Sequence, residues 1–260
     1  MSNILDKIVA TKRLEVAAAK SKVSIEQLKQ QAAMQPSPIS MRQSILLHKG
    51  GIIAEFKRRS PSKDWIKRNA RVEDIIPAYE AAGAAGLSIL TDNQYFGGSI
   101  NDIKQARQLT SLPILRKEFV IDAYQLYEAR ATGADACLLI AAAIGNERCK
   151  ELAMVAHDIG LEVILEVHAI EEIEAFSDNV DIIGVNNRNL KYFKTDPQQS
   201  VELYSHLPQG TLAISESGLL DPLVANKLQK IGYKGFLVGE AFMRTEQPGL
   251  SLSHYIQSLD

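Results

Sequence analysis

Eight short apolar segments recur along the chain, and this repeat constrains the fold more than any other feature of the sequence. From Gly51 to Tyr233 the segments begin on average every 26 residues over seven intervals. They are 52–57, 87–92, 113–117, 136–140, 163–166, 182–186, 212–216 and 235–239. Each is continuous rather than alternating, as expected of parallel strands that are covered on both faces. The spacing leaves room for one helix after each strand, so the sequence predicts an α/β fold, a (β/α)8 TIM barrel.

Segments with helical spacing of apolar residues lie between these strands. They are 72–82, 103–109, 123–132, 147–159, 169–176, 198–207 and 220–231. Four of them end before a glycine, at Gly83, Gly133, Gly160 and Gly232, which is a typical stop signal of a helix. We therefore interpret the turns from helix to strand as structural, which leaves the opposite ends of the strands for chemistry.

The length of 260 residues fits one barrel of roughly 250 residues better than two domains. We expect a single domain over residues 1–260, in which residues 1–48 form an N-terminal helical extension packed on the barrel. The extension opens with an amphipathic helix that begins near Asn3, and a polar run and two prolines follow it. The apolar residues of this helix are Ile4, Leu5, Ile8, Val9, Leu14 and Val16.

Composition narrows the classes of partner. Hydrophobic residues make up 46% and charged residues 23%, as in ordinary soluble globular proteins. With a formal charge of −2, the chain lacks the excess of basic residues that is typical of nucleic-acid-binding proteins. No segment is long enough to cross a membrane. The two cysteines, Cys137 and Cys149, suggest no disulfide framework, and no signal peptide is recognisable. We expect a cytoplasmic protein that is a monomer or a weak homodimer.

Charged and polar residues end five of the predicted strands. In a barrel of this kind the carboxyl ends of the strands carry the chemistry. Because side chains alternate along a strand, Glu55 and Lys57 project to one side and Phe56 to the other. The same alternation points Lys117 and Phe119 inward. We expect one pocket to contain Glu55, Lys57, Lys117, Glu166, Asn186, Arg188 and Glu216. Carboxylates and amines packed together tune one another's pKa, which suits proton transfer near neutral pH.

Small residues after the last two strands indicate an anion site. Ser217 and Gly218 follow strand seven, and Gly239 and Glu240 follow strand eight. Barrels commonly bind phosphate at these two loops, where glycine lets backbone N–H groups approach the anion. Ser60, in the loop after the first strand, could add a hydroxyl.

Other chemistries find less support in the sequence. The histidines at 48, 157, 168, 206 and 254 show no metal-ligand spacing, and the two cysteines form no zinc motif. The pair His157 and Asp158 is similar to that of metal-dependent phosphohydrolases, but it ends an amphipathic helix. A Gly-x-Gly-x-x-Gly dinucleotide motif is absent. We expect no metal site.

Motifs in order along the chain beyond residue 50 resemble those of the indole-3-glycerol phosphate synthase family. They are 53–63, 90–92 with 95–99, 115–119 with 122–125, 134–140, 184–190, 214–218 and 238–244. The resemblance implies conversion of 1-(2-carboxyphenylamino)-1-deoxyribulose 5-phosphate into indole-3-glycerol phosphate, with release of carbon dioxide and water. It implies a small phosphorylated substrate and no metal or organic cofactor.

The resemblance also implies roles for individual residues. Lys117 would be the general acid at the carbonyl and Glu166 the general base of dehydration, while Lys57 would contact the leaving carboxylate and Glu55 would position it. Either lysine could serve as the acid at a given step. Substrate-binding residues would be Asn186, Arg188, Glu216, Phe119, Leu138 and Leu190, and phosphate-binding residues would be Ser60, Ser217, Gly218, Gly239 and Glu240.

Two positions depart from the family pattern. Asp64 stands where the family usually has glycine. Because aspartate adopts the backbone angles of glycine only with strain, the conformation of the first loop is open at this stage. Glu240 stands where some members carry serine. A glutamate fits beside a phosphate only if its side chain turns away and its backbone N–H points inward.

Three other hypotheses fit the same barrel. One is a Schiff-base aldolase, because an inward lysine and a phosphate site also suit that reaction. The second is a phosphoribosylanthranilate isomerase, which usually lacks the long N-terminal extension. The third is a phosphate-ligand binding protein that has lost its chemistry, which the intact acid and base argue against.

Overall fold

Eight parallel strands close into a barrel, which confirms the predicted (β/α)8 architecture. The computed structural model describes residues 4–61, 63–189 and 194–260. The barrel strands are β1 (Ile52–Phe56), β2 (Gly86–Leu90), β3 (Ile114–Lys117), β4 (Ala136–Ile140), β5 (Glu162–Val167), β6 (Ile182–Asn186), β7 (Leu212–Glu216) and β8 (Gly235–Val238). Each strand pairs with its neighbours in sequence, and β1 closes the barrel on β8.

Helices connect the strands and precede the barrel. They are α1 (Ile4–Lys22), α2 (Ile25–Ala33), α3 (Met41–Leu47), α4 (Val72–Ala81), α5 (Ile100–Arg107), α6 (Ala123–Ala131), α7 (Ala141–Ile144), α8 (Asn146–Asp158), α9 (Gln198–Tyr204), α10 (Pro222–Ile231), α11 (Glu240–Met243) and α12 (Pro248–Gln257). None of the described helices is long and apolar enough to span a membrane.

The segment predicted as a helix over 169–176 differs from the prediction. Residues Ile170–Ala175 form a 3-10 helix, flanked on both sides by extended residues. Only six residues lie between the extended residues Ala169 and Phe176. Short helical connectors commonly take the tighter 3-10 form.

Alternation along the strands divides the core into two layers. Ile53, Leu115, Leu138, Ile164 and Ile214 belong to the inner cluster, which fills the barrel. The residues next to them in sequence belong to the outer cluster, which packs under the helices; examples are Ala54, Ile114, Leu139, Leu165 and Ala213. Phe56, two positions after Ala54, belongs to the outer cluster as well. Phe56 therefore faces the helices, as the placement of Glu55 and Lys57 at the mouth requires.

The N-terminal helices contribute to the inner cluster. Leu5 and Ile8 of α1, together with Met41 and Ile45 of α3, are buried in it. Leu14 is 74% exposed, so its inclusion in the predicted apolar stripe is wrong. The stripe instead continues from Ile8 through Lys12 to Val16, all of which are buried. These contacts support a packed extension, while the assignment of residues 1–260 to a single domain stays a prediction.

Candidate active site

A cavity of about 290 Å³ opens at the carboxyl ends of the strands. Most of the predicted site residues line it. They are Glu55, Lys57, Lys117, Phe119, Leu138, Glu166, Asn186, Arg188, Glu216, Ser217, Gly218, Gly239 and Glu240. Ser60 does not line the cavity, and Leu190 lies outside the described residues.

The strand pleat explains why the charged residues converge. Glu55, Lys117, Glu166 and Glu216 each follow by two positions a residue of the inner cluster, namely Ile53, Leu115, Ile164 and Ile214. A side chain two positions further along a strand points to the same side. The apolar filling of the barrel therefore ends in one layer of carboxylates and an amine.

Lys117 lies at the centre of this layer. Its Nζ is 2.6 Å from Glu166 Oε2 and 2.8 Å from Glu216 Oε2. The lysine side chain is 13% exposed and both carboxylates are 2% exposed. Beside this triad, Lys57 donates a hydrogen bond to Glu55. Two amines thus share three buried carboxylates.

Burial and mutual charge shift the pKa of each member of the triad. Burial alone would lower the pKa of Lys117, but Glu166, Glu216 and Glu55 outweigh it and raise that pKa above its ordinary value. Burial would raise the pKa of Glu166, but Lys117 and His168 hold it well below its usual range. Burial raises the pKa of Glu216 to about 7, against the opposing charge of Lys117. The site therefore holds a charged amine, an ionised carboxylate and a carboxyl that titrates near neutral pH.

Two glycines leave room for the buried carboxylates. A Cβ atom on Gly184, in the middle of β6, would overlap Glu216 Oε1, and one on Gly239 would overlap Glu55 Oε1. Gly184 was not predicted as a site residue. Its sequence signal is a glycine inside an otherwise apolar strand, which often marks the close approach of another group.

Asn186 and Arg188 continue the cluster at the end of β6. Asn186 Nδ2 donates to Glu166 Oε1 at 3.0 Å, and its Oδ1 accepts the backbone N–H of Arg188 at 3.0 Å. Arg188 Nε donates to Thr195 Oγ1 at 3.2 Å. The amide of Asn186 therefore fixes the orientation of Glu166 and the start of the following loop.

The loop after β7 has an unusual backbone. Ser217 and Gly218 adopt φ angles of 65° and 73°, in the left-handed region that is unfavourable for serine. Such backbone strain is concentrated at functional sites. Glu240 Oε2 is 3.8 Å from Arg188 Nη2, and its Oε1 is 3.9 Å from Lys63 Nζ. The Glu240 side chain thus faces two cations at the mouth, and Lys63 is a lining residue that was not predicted.

Ser60 and Asp64 belong to a short hairpin in the loop after β1. Arg59–Ser60 pairs with Asp64–Trp65, and Ser60 is buried. Asp64 has a φ of 53°, so it does adopt the conformation that the glycine in the family pattern favours. Arg59 Nε donates to its carboxylate at 2.8 Å. A role of Ser60 in phosphate binding stays a prediction.

Apolar side chains form another part of the cavity wall. Phe119 and Leu138 are both buried and line the cavity. Phe96 lines it as well, with its ring centroid 5.9 Å from that of Phe119. Phe96 was not predicted as a site residue, although it lies in one of the motifs.

Asp92 explains how Phe96 is held. Asp92 Oδ1 accepts the backbone N–H groups of Tyr95 and Phe96 at 2.7 and 3.2 Å. Its Oδ2 lies 3.1 Å from Lys12 Nζ, which is also 3.0 Å from Glu118 Oε1. Asp92, two residues after β2, thus ties α1 to the loop that carries Phe96. The sequence signal for a buried Lys12 is its position on the apolar face of α1, between Ile8 and Val16.

Metal-ligating residues do not gather in the described part of the chain. No group of three or more histidine, cysteine, aspartate or glutamate side chains there is placed to hold a metal ion. His157 and Asp158 are exposed at the end of α8.

Comparison with known proteins identifies a family. The family model of indole-3-glycerol phosphate synthase matches residues 5–254. The indole-3-glycerol phosphate synthase of Bacteroides thetaiotaomicron is 52% identical over 259 residues, covering 100% of both chains. Those of Polynucleobacter asymbioticus and Burkholderia ambifaria are 43% and 42% identical, covering 97% of this chain and 98% of theirs.

Solved structures that resemble the chain share its fold. A mutant tryptophan synthase alpha-subunit from Pyrococcus furiosus has a TM-score of 0.60 at 15% identity, and covers 82% of this chain and 98% of its own. A thiamine phosphate pyrophosphorylase from Pyrococcus furiosus has a TM-score of 0.60 at 16% identity, with coverage of 84% and 98%. At these identities the similarity concerns the barrel alone.

Proposed function

The chain belongs to the indole-3-glycerol phosphate synthase family and is a carboxy-lyase of tryptophan biosynthesis, and we propose that the cavity at the barrel mouth carries its reaction. The reaction closes a ring on 1-(2-carboxyphenylamino)-1-deoxyribulose 5-phosphate, releases carbon dioxide and water, and yields indole-3-glycerol phosphate. It needs an acid at the carbonyl, a base for dehydration, cations for the carboxylate and an anchor for the phosphate. The residues around the cavity supply all four.

The buried position of Lys117 between Glu166 and Glu216 is the observation that carries the proposal. The raised pKa keeps Lys117 protonated at neutral pH, so it is a proton donor to the substrate carbonyl. Glu166 is ionised and accepts the proton that leaves during dehydration. A protonated amine is a poor nucleophile, which argues against the Schiff-base aldolase.

Lys57 lies on the same side of the cavity as Glu55 and binds the carboxylate that leaves as carbon dioxide. Glu55 orients this amine through its hydrogen bond. Asn186, Arg188 and Glu216 contact the sugar chain. The buried Glu216 Oε1 has no hydrogen-bond partner among the described residues, so it is available to a substrate hydroxyl. Phe119 and Leu138, with Phe96, form the wall for the aromatic ring.

The phosphate binds at the loops after β7 and β8. The backbone N–H groups of Ser217, Gly218, Gly239 and Glu240 surround it. The left-handed conformation of Ser217 and Gly218 supports this role, because an unfavourable backbone conformation of this kind is concentrated at functional sites. The cations Arg188 and Lys63, which face Glu240 across the mouth, add favourable charge.

We further propose that the enzyme acts in the cytoplasm as one domain over residues 1–260, as a monomer or weak homodimer without nucleic-acid or membrane partners. The biosynthetic reaction and its small phosphorylated substrate support this assignment. The two described cysteines are unpaired and buried, which is consistent with a reducing compartment.

Product formation by the purified protein tests the proposed function. We expect absorbance and fluorescence of an indole to appear when the carboxyphenylamino substrate is added, with one carbon dioxide released per indole. Absence of product would contradict the proposal. Borohydride reduction in the presence of a keto-phosphate tests the aldolase, and a covalent adduct on Lys57 or Lys117 would favour that alternative.

A further inference from the structure

We propose that His168, held by Glu172, is a positioning residue that keeps the Glu166 carboxylate ionised and oriented during the reaction. The proposal rests on the roles proposed above for Lys117 and Glu166. His168 was predicted only as one of five histidines without metal-ligand spacing. Its sequence signal is its position two residues after Glu166, directly beyond the end of β5, which lets its side chain reach that carboxylate.

The imidazole lies between two carboxylates. His168 Nε2 is 3.3 Å from Glu166 Oε1, and Nδ1 is 3.4 Å from Glu172 Oε2. The side chain is only 9% exposed. Neither nitrogen makes an aligned hydrogen bond within the described residues, so opposite charge rather than a fixed hydrogen bond joins the three groups.

The backbone around His168 is fixed on both sides. Glu172 Oε2 accepts the His168 backbone N–H at 2.6 Å, and Gln199 Nε2 donates to the His168 carbonyl oxygen at 2.6 Å. Within the described ranges, the charged groups acting on the imidazole are Glu166 of β5 and Glu172 of the 3-10 helix. Helix α9 contributes the neutral Gln199. Both ring nitrogens therefore face a carboxylate.

This environment makes His168 a cation at neutral pH. Burial alone would lower the pKa of the imidazole, but Glu166 and Glu172 outweigh it and raise the pKa to about 9. Glu166 consequently has a positive neighbour on each oxygen: Lys117 on Oε2 and His168 on Oε1. The amide of Asn186 adds a neutral donor to Oε1.

The second cation matters once Lys117 has given its proton to the substrate. The neutral amine no longer stabilises the Glu166 carboxylate, and a carboxylate so deeply buried would then take up a stray proton. The imidazolium retains its charge and keeps Glu166 ionised until the proton of the dehydration step arrives. His168 itself neither gains nor loses a proton in this sequence.

The His168→Gln variant tests the proposal through kcat, KM and the pH profile. We expect kcat at pH 7 to fall about tenfold, because the Glu166 carboxylate loses a neighbour that orients it, while KM changes by less than about twofold, because substrate contacts remain. Loss of a cation raises the pKa of Glu166, so the acid limb of the kcat profile moves up by about one pH unit. A purely structural histidine would leave that limb in place.

Glu172→Gln provides a second variant, at a side chain that is more exposed than that of His168. Glu171→Gln, at the exposed residue next to it in sequence, is the matched control. Removing the Glu172 charge lowers the pKa of His168, so alkaline loss of activity begins below the pH of about 9 expected for the wild type. Glu171→Gln should leave both limbs unchanged. Wild-type kcat and pH profile in both His168→Gln and Glu172→Gln would overturn the proposal. An inactive wild type would instead refute the proposed function on which it rests.

Discussion

At the scale of single residues, the proposed chemistry depends on one amine shared by two buried carboxylates. Alternation along the strands was sufficient to predict that Glu55, Lys117, Glu166 and Glu216 share a pocket. It could not predict which amine pairs with which carboxylate, because that depends on the relative heights of neighbouring strands. The structure pairs Lys117 with Glu166 and Glu216, and Lys57 with Glu55.

Gly184→Ala tests the space that Glu216 needs. The added methyl group would overlap Glu216 Oε1, so the carboxylate must move away from Lys117. We expect kcat/KM to fall about a hundredfold, as for other small misplacements of a reacting group. The protein should remain folded, because only the flexible end of a side chain is displaced. Steady-state kinetics and a urea unfolding curve check both statements, and wild-type kcat/KM would contradict them.

Titration of Glu216 makes stability depend on pH. The pKa of Glu216 rises from 4.5 in the unfolded chain to about 7 in the folded protein. The contribution of this residue to the free energy of unfolding is therefore fully present below pH 4.5 and is lost as the pH rises through 7. We expect the free energy of unfolding of the wild type to fall between pH 5 and pH 8 by on the order of 2 kcal/mol more than that of Glu216→Gln. Urea unfolding at the two pH values measures this difference, and parallel curves would contradict it.

At the scale of elements, the sequence predicted every barrel strand to within two residues at either end. Continuous apolar runs between breakers are a strong signal for buried parallel strands. The sequence predicted a helix over 169–176 but not its 3-10 form, and a helical extension over residues 1–48 but not the separate helices α2 and α3 within it. In these segments tertiary contacts decide the conformation: Ser40 Oγ and the Arg42 backbone N–H at the start of α3, for example, both donate to the carboxylate of Glu162 on β5.

The hairpin after β1 depends on the left-handed conformation of Asp64. Asp64→Gly should preserve kcat, because glycine adopts this conformation without strain and the lost contact with Arg59 is exposed. Asp64→Val should lower kcat, because a β-branched residue strongly disfavours a positive φ and would distort the loop bearing Lys63. The two kcat values provide the test, and equal values would show that the hairpin does not depend on this backbone angle.

Helix α1 is attached to the barrel through buried Lys12. Lys12→Met would leave Asp92 and Glu118 without their shared cation, and we expect it to lower the free energy of unfolding by about 3 to 5 kcal/mol. Lys20→Met is the matched control on the same helix. Its pair with Asp122 is largely exposed, so the loss should be below about 1 kcal/mol. Similar losses in both variants would contradict a structural role for the buried cluster.

At the scale of the whole molecule, the barrel brings polar residues from five strands together at its mouth. Motif order along the chain predicted the family, and the family match over residues 5–254 confirms it. The contribution of the N-terminal helix was harder to predict. Lys12 interrupts an apolar stripe, and only the position of Asp92 and Glu118 in three dimensions shows why a lysine is buried there.

The turnover of Lys117→Ala tests the central claim most directly, measured as the rate of indole-3-glycerol phosphate formation against wild type and Lys57→Ala. If Lys117 is the general acid, kcat should fall by about three orders of magnitude in Lys117→Ala, in protein shown to be folded by its urea unfolding curve. Lys57→Ala should retain more activity and show a higher KM, because it loses a contact with the substrate carboxylate. Retention of near wild-type kcat in Lys117→Ala, with loss of turnover in Lys57→Ala, would contradict the claim and transfer the acid role to Lys57.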